Sequence, residues 1–296
     1  MKNTLSVQLK AQAAIMMGFI VIFAAPLAIA EEHRPSKIVA IGGSVTEIVY
    51  ALGEEQRLVG RDSTSIYPPE ARKLPDTGYI RALSPEGVLS LTPDLILMLQ
   101  GAGPPEALET LKAAGVSLVT IPDGYDAASI SQKVEAVGAA LGVDEKAHAL
   151  AARLDASLKA VLAKNGAPEH KARVLFVLSL QSGRIMAAGA QNHADGIIKL
   201  AGGENVMADI HGYKQVSDEA IIKAAPDVIV MMTGTGGHSV DDQTVLDTPA
   251  IASTPAGKAK RLVRMDGMYL LGFGPRTAEA VQTLHTALYP DSGKTE

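Results

Sequence analysis

Cysteine and tryptophan are both absent from the 296 residues, and phenylalanine occurs only four times. Without a thiol the chain can form no disulfide framework, thiolate-held zinc, iron–sulfur centre, cysteine nucleophile or lipidated cysteine. A surplus of positive charge is lacking too: 27 basic residues face 32 acidic ones, a formal net charge of −5. That balance leaves no broad basic surface for nucleic acid or anionic lipid. Gly-x-Ser-x-Gly elbows and Cys–His pairs are missing, and the acids are not paired for glycoside chemistry, so the usual parts of a covalent hydrolase or glycosidase are not present. What remains is 47% hydrophobic, with 28 Gly and 16 Pro, enough for a large core.

Lys2 and Lys10 precede a mainly apolar run to Ile29 that closes on Ala28-Ile29-Ala30. Charged start, apolar middle and small-x-small end form the pattern of a secretory signal peptide over residues 1–30, with an N-terminal membrane anchor as the alternative. No later run approaches the ~18 apolar residues of a membrane span. An exported soluble chain without a lipid-anchoring cysteine points to the periplasm.

Short apolar runs then alternate with helical stretches: Ile38–Ile41, Leu58–Gly60, Leu95–Met98 and Val116–Ile121, and later Val174–Leu178 and Val228–Met232. This is the pattern of α/β lobes built on mostly parallel sheets covered on both faces. Ser44 with Glu47 reads as a capping box opening the first helix. Residues 129–164 form an alanine-rich helical stretch broken at Gly138 and at Gly142-Val143-Asp144. The expected organisation is a lobe over 31–125, a helical backbone over 126–168 and a second lobe over 169–296. Pro85–Leu97 echoes Ser217–Ile229: Glu86 stands eight residues before Asp94, and Glu219 eight before Asp227. Either two ordinary αβ units happen to agree, or two related lobes flank the helices.

The loop from Gly60 to Glu70 places Tyr67 before two prolines at the end of a strand, the edge where α/β proteins bind ligands. A phenolate is a hard donor for ferric iron and a known axial ligand of haem; a free phenol ionises only near pH ~10, so ligation needs the metal's charge. A loop tyrosine that only packs is the plainer reading. Arg81, Arg184 and Arg276 lie in or beside turns, where a guanidinium could hold carboxylates or a phenolate. His193, His211 and His238 fall on loops without zinc spacing, while His148, His170 and His285 read as surface. Gly234–Gly237 lacks the Gly-Lys-Ser/Thr of a phosphate loop. The methionines, Met98 and Met268 among them, read as core filler or as the wall of a soft pocket.

Residues 37–62, Glu86 to Ile96, Leu200–Val206 and Leu270–Arg276 together resemble the helical-backbone class of periplasmic substrate-binding proteins, which serve ABC importers of haem, siderophores and cobalamin. Within it, residues 62–68 and 74–83, with Thr254–Gly257 and Met265-Asp266, are similar to the haem-transport members. The resemblance implies a non-catalytic, monomeric carrier of ferric haem, with Tyr67 as axial ligand. It also implies that Glu86 and Glu219 dock onto arginines of the importer's membrane subunits. Some relatives carry an arginine where this chain has residues 234–238, so either His238 or Arg276 would stand in, or neither does. Ser179–Ser182 lacks the histidine of two-haem relatives, which argues for one haem. The alternatives are a siderophore or cobalamin carrier, and an exported zinc or manganese protein using His193, His211 and His238.

Overall fold

The computed structural model describes residues 34–233 and 240–290. The expected signal segment, the Gly234–Gly237 loop and His238 lie outside the described residues.

The first sheet is all parallel, in the order β2 (Leu58–Arg61), β1 (Ile38–Ile41), β5 (Leu95–Leu99) and β6 (Ser117–Ile121). Its central strands are apolar on both faces because both faces are covered. Ile38, Ala40, Leu95 and Leu97 join one core cluster, while Val39, Ile41, Ile96 and Met98 join another. Around it lie α1 (Gly43–Ala51), the hairpin β3 (Gly78–Tyr79) and β4 (Ala82–Leu83), α2 (Pro85–Leu89) and α3 (Pro105–Ala113).

The alanine-rich stretch forms two helices, α4 (Ala127–Leu141) and α5 (Asp144–Asn165). Asp126 and Ser129 box the start of α4, and Gly142, left-handed at φ 67°, ends it. Gly138 does not break the helix. It lies inside α4, where a Cβ would come within 2.1 Å of the Ala147 Cβ, so the glycine lets the two helices touch. The 22-residue α5 runs about 33 Å at 1.5 Å per residue.

The second sheet is mixed, in the order β10 (Tyr213–Val216), β8 (Arg184–Ala188), β7 (Arg173–Gln181), β11 (Val228–Thr233) and β12 (Leu262–Asp266), with β9 (Glu204–Asn205) on β7. β7, β11 and β12 are parallel; β8 and β10 are antiparallel additions. Helices α6 (His193–Leu200), α7 (Asp218–Ala224), α8 (Asp242–Leu246), α9 (Pro249–Ala252), α10 (Pro255–Lys258), α11 (Gly267–Leu271) and α12 (Thr277–Leu288) complete this lobe. Among the described residues no helix is long and apolar enough to cross a membrane.

The internal echo extends to the backbone, in a register that sets Ser84 opposite Ser217. Each serine accepts a bond from the third residue of its helix, Gly87 N in α2 and Ala220 N in α7. Val88 and Ile221 are both fully buried. The residues before the two Pro-Asp steps, Thr92 and Ala225, are both left-handed, at φ 48° and 43°. Asp94 and Asp227 then close matching two-point clamps. Lys37 N donates to Asp94 Oδ1 at 3.1 Å and Arg173 N to Asp227 Oδ2 at 3.0 Å. The aspartate amides return the bond to Lys37 O and Arg173 O.

Candidate ligand-binding site at the lobe junction

Asp62, at the end of β2, organises the tyrosine loop. Its fully buried carboxylate accepts from Gly42 N (2.9 Å), Thr64 N (3.0 Å), Thr64 Oγ1 (2.6 Å) and Ser65 Oγ (2.6 Å). Thr64 Oγ1 in turn accepts from Gly43 N at 3.1 Å, and Ser65 Oγ lies 2.7 Å from Thr46 Oγ1. The first amides of α1 are therefore satisfied by the loop, and the expected Ser44–Glu47 capping box does not form. Ser44 and Glu47 are buried instead, facing the other lobe. Stitched this way, the loop presents Tyr67 with 42% of its surface exposed.

The second lobe meets this surface through Gly272-Phe273-Gly274-Pro275-Arg276. Small residues permit the approach: a Cβ on Gly274 would lie 3.3 Å from Ser44 Cβ, and one on Gly43 would strike Met268 and the Thr64 carbonyl. Arg276 crosses the junction. Its Nε and Nη2 donate to the two oxygens of Glu47 at 2.9 and 2.6 Å, a bidentate pair. Its guanidinium carbon stands 3.7 Å from the centre of the Tyr67 ring, within cation–π range, and 5.2 Å from that of Tyr269. Burial pushes the Glu47 carboxyl up, against the hydrogen bond and charge of Arg276.

A second ionic cluster lies beside the first. Lys133 of α4 is wholly buried and donates to Asp123 Oδ1 (2.8 Å), Gly272 O (3.2 Å) and Ser44 Oγ (3.3 Å). His193, from the second lobe, pairs with the other Asp123 oxygen at 3.1 Å. Burial alone would raise the Asp123 carboxyl; the His193 hydrogen bond and the Lys133 charge outweigh it and hold it at about 2.

Of the three arginines singled out in the sequence, only Arg276 touches Tyr67. Arg81 is exposed at the tip of the β3–β4 hairpin, reaching toward the second lobe. Burial pushes the Tyr213 phenol of β10 up, against a backbone hydrogen bond at Ala194 and the charge of Arg81. Arg184 is exposed at the start of β8. Tyr79 and Tyr125, 46% and 40% exposed, leave the same end of the first sheet as Tyr67, and Tyr125 meets His193 edge-on at 6.4 Å between centres. Glu86 and Glu219 are exposed in the first turns of α2 and α7.

Among the described residues the histidines do not assemble a metal site. His193 is engaged by Asp123, His211 is exposed at an isolated bridge to Ala190, and among the described residues no three His, Cys, Asp or Glu side chains are grouped to hold an ion. His285, expected at the surface, is 7% exposed, because α12 packs it inward with Nδ1 3.0 Å from Ala201 O. Met98 and Met265 are core residues, whereas Met186 is 36% exposed. Sequence reasoning missed Glu47, Asp123 and Lys133. A signal existed for Lys133: it interrupts the apolar stripe of Ile130, Val134, Val137 and Leu141 on α4.

Comparison with known proteins fits this geometry. The periplasmic binding protein family matches residues 38–269, and the chain belongs to that family. Two solved structures are similar over most of the chain. The periplasmic heme-binding protein BhuT in complex with two hemes is 40% identical, with TM-score 0.81, covering 85% of this chain and 97% of that one. The periplasmic heme-binding protein RhuT from Roseiflexus sp. RS-1, in apo form, is 38% identical, with TM-score 0.82, covering 86% and 98%. By sequence, the uncharacterized ABC transporter substrate-binding lipoprotein YvrC of Bacillus subtilis (strain 168) is 29% identical over 89% of this chain and 83% of its own. A vitamin B12-binding protein of Vibrio parahaemolyticus is 27% identical over 70% and 72%. Family and neighbours are binding proteins of transport systems, so the chain is a substrate-binding protein rather than an enzyme, of a kind that works outside the cytoplasm.

Proposed function

We propose that this protein binds ferric haem at the lobe junction through the phenolate of Tyr67 and carries it across the periplasm to an inner-membrane ABC importer. The observation that supports the reading most is an exposed tyrosine on a tightly stitched loop, with a guanidinium 3.7 Å over one ring face. Tyr67 is 42% exposed, and the exposed rings of Tyr79 and Tyr125 offer further apolar surface for a flat macrocycle. Arg81 suits a propionate, and Arg184 and His238 are further candidates for such contacts. The similarity to BhuT and RhuT favours haem over other cargo. Glu86 and Glu219, one on each lobe, would meet arginines of the importer's membrane subunits.

Hemin titration tests the assignment. The wild-type protein is expected to give a Soret band with a phenolate-to-iron charge-transfer feature toward the red, saturating at one haem per chain because Ser179–Ser182 supplies no second axial group. Tyr67→Phe is expected to abolish the charge-transfer feature. An unchanged spectrum in that variant would overturn the ligand assignment. The similarity to vitamin B12-binding proteins supports a second reading, cobalamin transport. Tight binding of cyanocobalamin with no response to hemin would favour it.

A further inference from the structure

Arg276 could stabilise a Tyr67 phenolate in many poses, and a long side chain left alone would sample them. In this structure it is held in one. Two of its three nitrogens each direct an N–H to Glu47, at 2.9 and 2.6 Å, which fixes the plane of the guanidinium as well as its place. The Glu47 side chain is 6% exposed and that of Arg276 18%, so if either swings away the other is left as a buried charge without its partner. Glu47 projects from α1, the helix whose first amides bond Asp62 and Thr64 of the tyrosine loop. One short helix thus grips the tyrosine from behind and aims the cation at its ring.

We infer that Glu47 is a positioning residue for the metal-binding tyrosine: it acts through Arg276, setting the height and tilt of the guanidinium over the Tyr67 ring. The inference rests on the reading of Tyr67 as the axial ligand. A cation over an aromatic face favours an electron-rich ring, and the effect depends on where the cation sits. Glu47 fixes that position and also shares the arginine's charge, so the donor strength of the phenolate depends on a residue that never touches haem.

The test uses hemin-loaded full chain and two readouts, the energy of the charge-transfer band and the rate of haem transfer to excess apomyoglobin. Glu47→Gln keeps the size of the side chain and loses the charge-assisted fork. It is expected to shift or broaden the band and to speed transfer about tenfold, the equivalent of one charge-assisted hydrogen bond. In an Arg276→Ala background the same substitution is expected to move neither readout further. If Glu47→Gln lowers the melting temperature while band and rate stay put, and Tyr67→Phe still removes the band, Glu47 is only a clamp between lobes and the inference fails. If Tyr67→Phe leaves the band intact, the ligand reading fails first and takes the inference with it. Should Glu47→Gln not fold, Arg276→Lys retains a charge for Glu47 without the planar fork, and an unchanged band in that variant overturns the proposal equally.

Discussion

Single ionisable side chains at the junction carry consequences that can be measured without any ligand. Asp123 is held at about 2, below its ordinary 3.8, by His193 and Lys133 acting against burial. Because the folded value lies under the unfolded one, the stabilisation is complete above roughly pH 4 and is lost as pH falls through about 2. Asp123→Asn is expected to lower stability at neutral pH by on the order of 2 kcal/mol and to flatten the acid limb of the pH–stability curve, as read by urea melts. How much of this was legible beforehand depends on range. The stripe position of Lys133 marks a charge out of place, yet its partners Ser44 and Gly272 lie 89 and 139 residues away. Glu47 was harder still. Three residues after a serine it mimics a capping box, a local pattern that loses once Asp62 and Thr64 reach the same amides from another loop. The exposed loop position of Tyr67 was legible because prolines, strand end and polar run are all local.

Elements were easier to read where both faces are buried, since continuous apolar runs announce β1, β5, β7 and β11. β8 and β10 escaped notice. Arg-Ile-Met-Ala-Ala and Tyr-Lys-Gln-Val have mixed strand propensity, and it is antiparallel pairing, of β8 with β7 and of β10 with β8, that extends them. The short helices α2 and α7 were legible through their shared Ser start and Pro-Asp end, and each presents one glutamate in its first turn. That placement suits contact by charge, where exposed groups govern approach and register more than affinity. Replacing Glu86 and Glu219 together by lysine is expected to leave the hemin spectrum unchanged, while uptake by importer-containing proteoliposomes falls at least tenfold; undiminished uptake would remove both residues from the interface.

At the scale of the molecule, the lobes share a floor of buried ion pairs and lean on the paired helices α4 and α5, whose contact at Gly138 and Ala147 leaves no room for sliding. Wide closure around cargo would break the Glu47–Arg276 fork and strand Lys133. The radius of gyration measured by small-angle scattering is therefore expected to change by less than about 0.5 Å on saturation with hemin, against a value of about 19 Å for a folded chain of this length. A larger contraction would mean that the junction opens in solution.

The matched Thr92 and Ala225 backbones, with the same aspartate clamp behind each, mean that the chain displays one acidic handle twice on equivalent footings. A receptor built from two identical subunits would find either handle equally acceptable to either of its halves. The carrier could then seat in two orientations half a turn apart, unless differences within the repeat, such as Ile222, 49% exposed beside Glu219 while its counterpart Leu89 packs into its own lobe, break the tie.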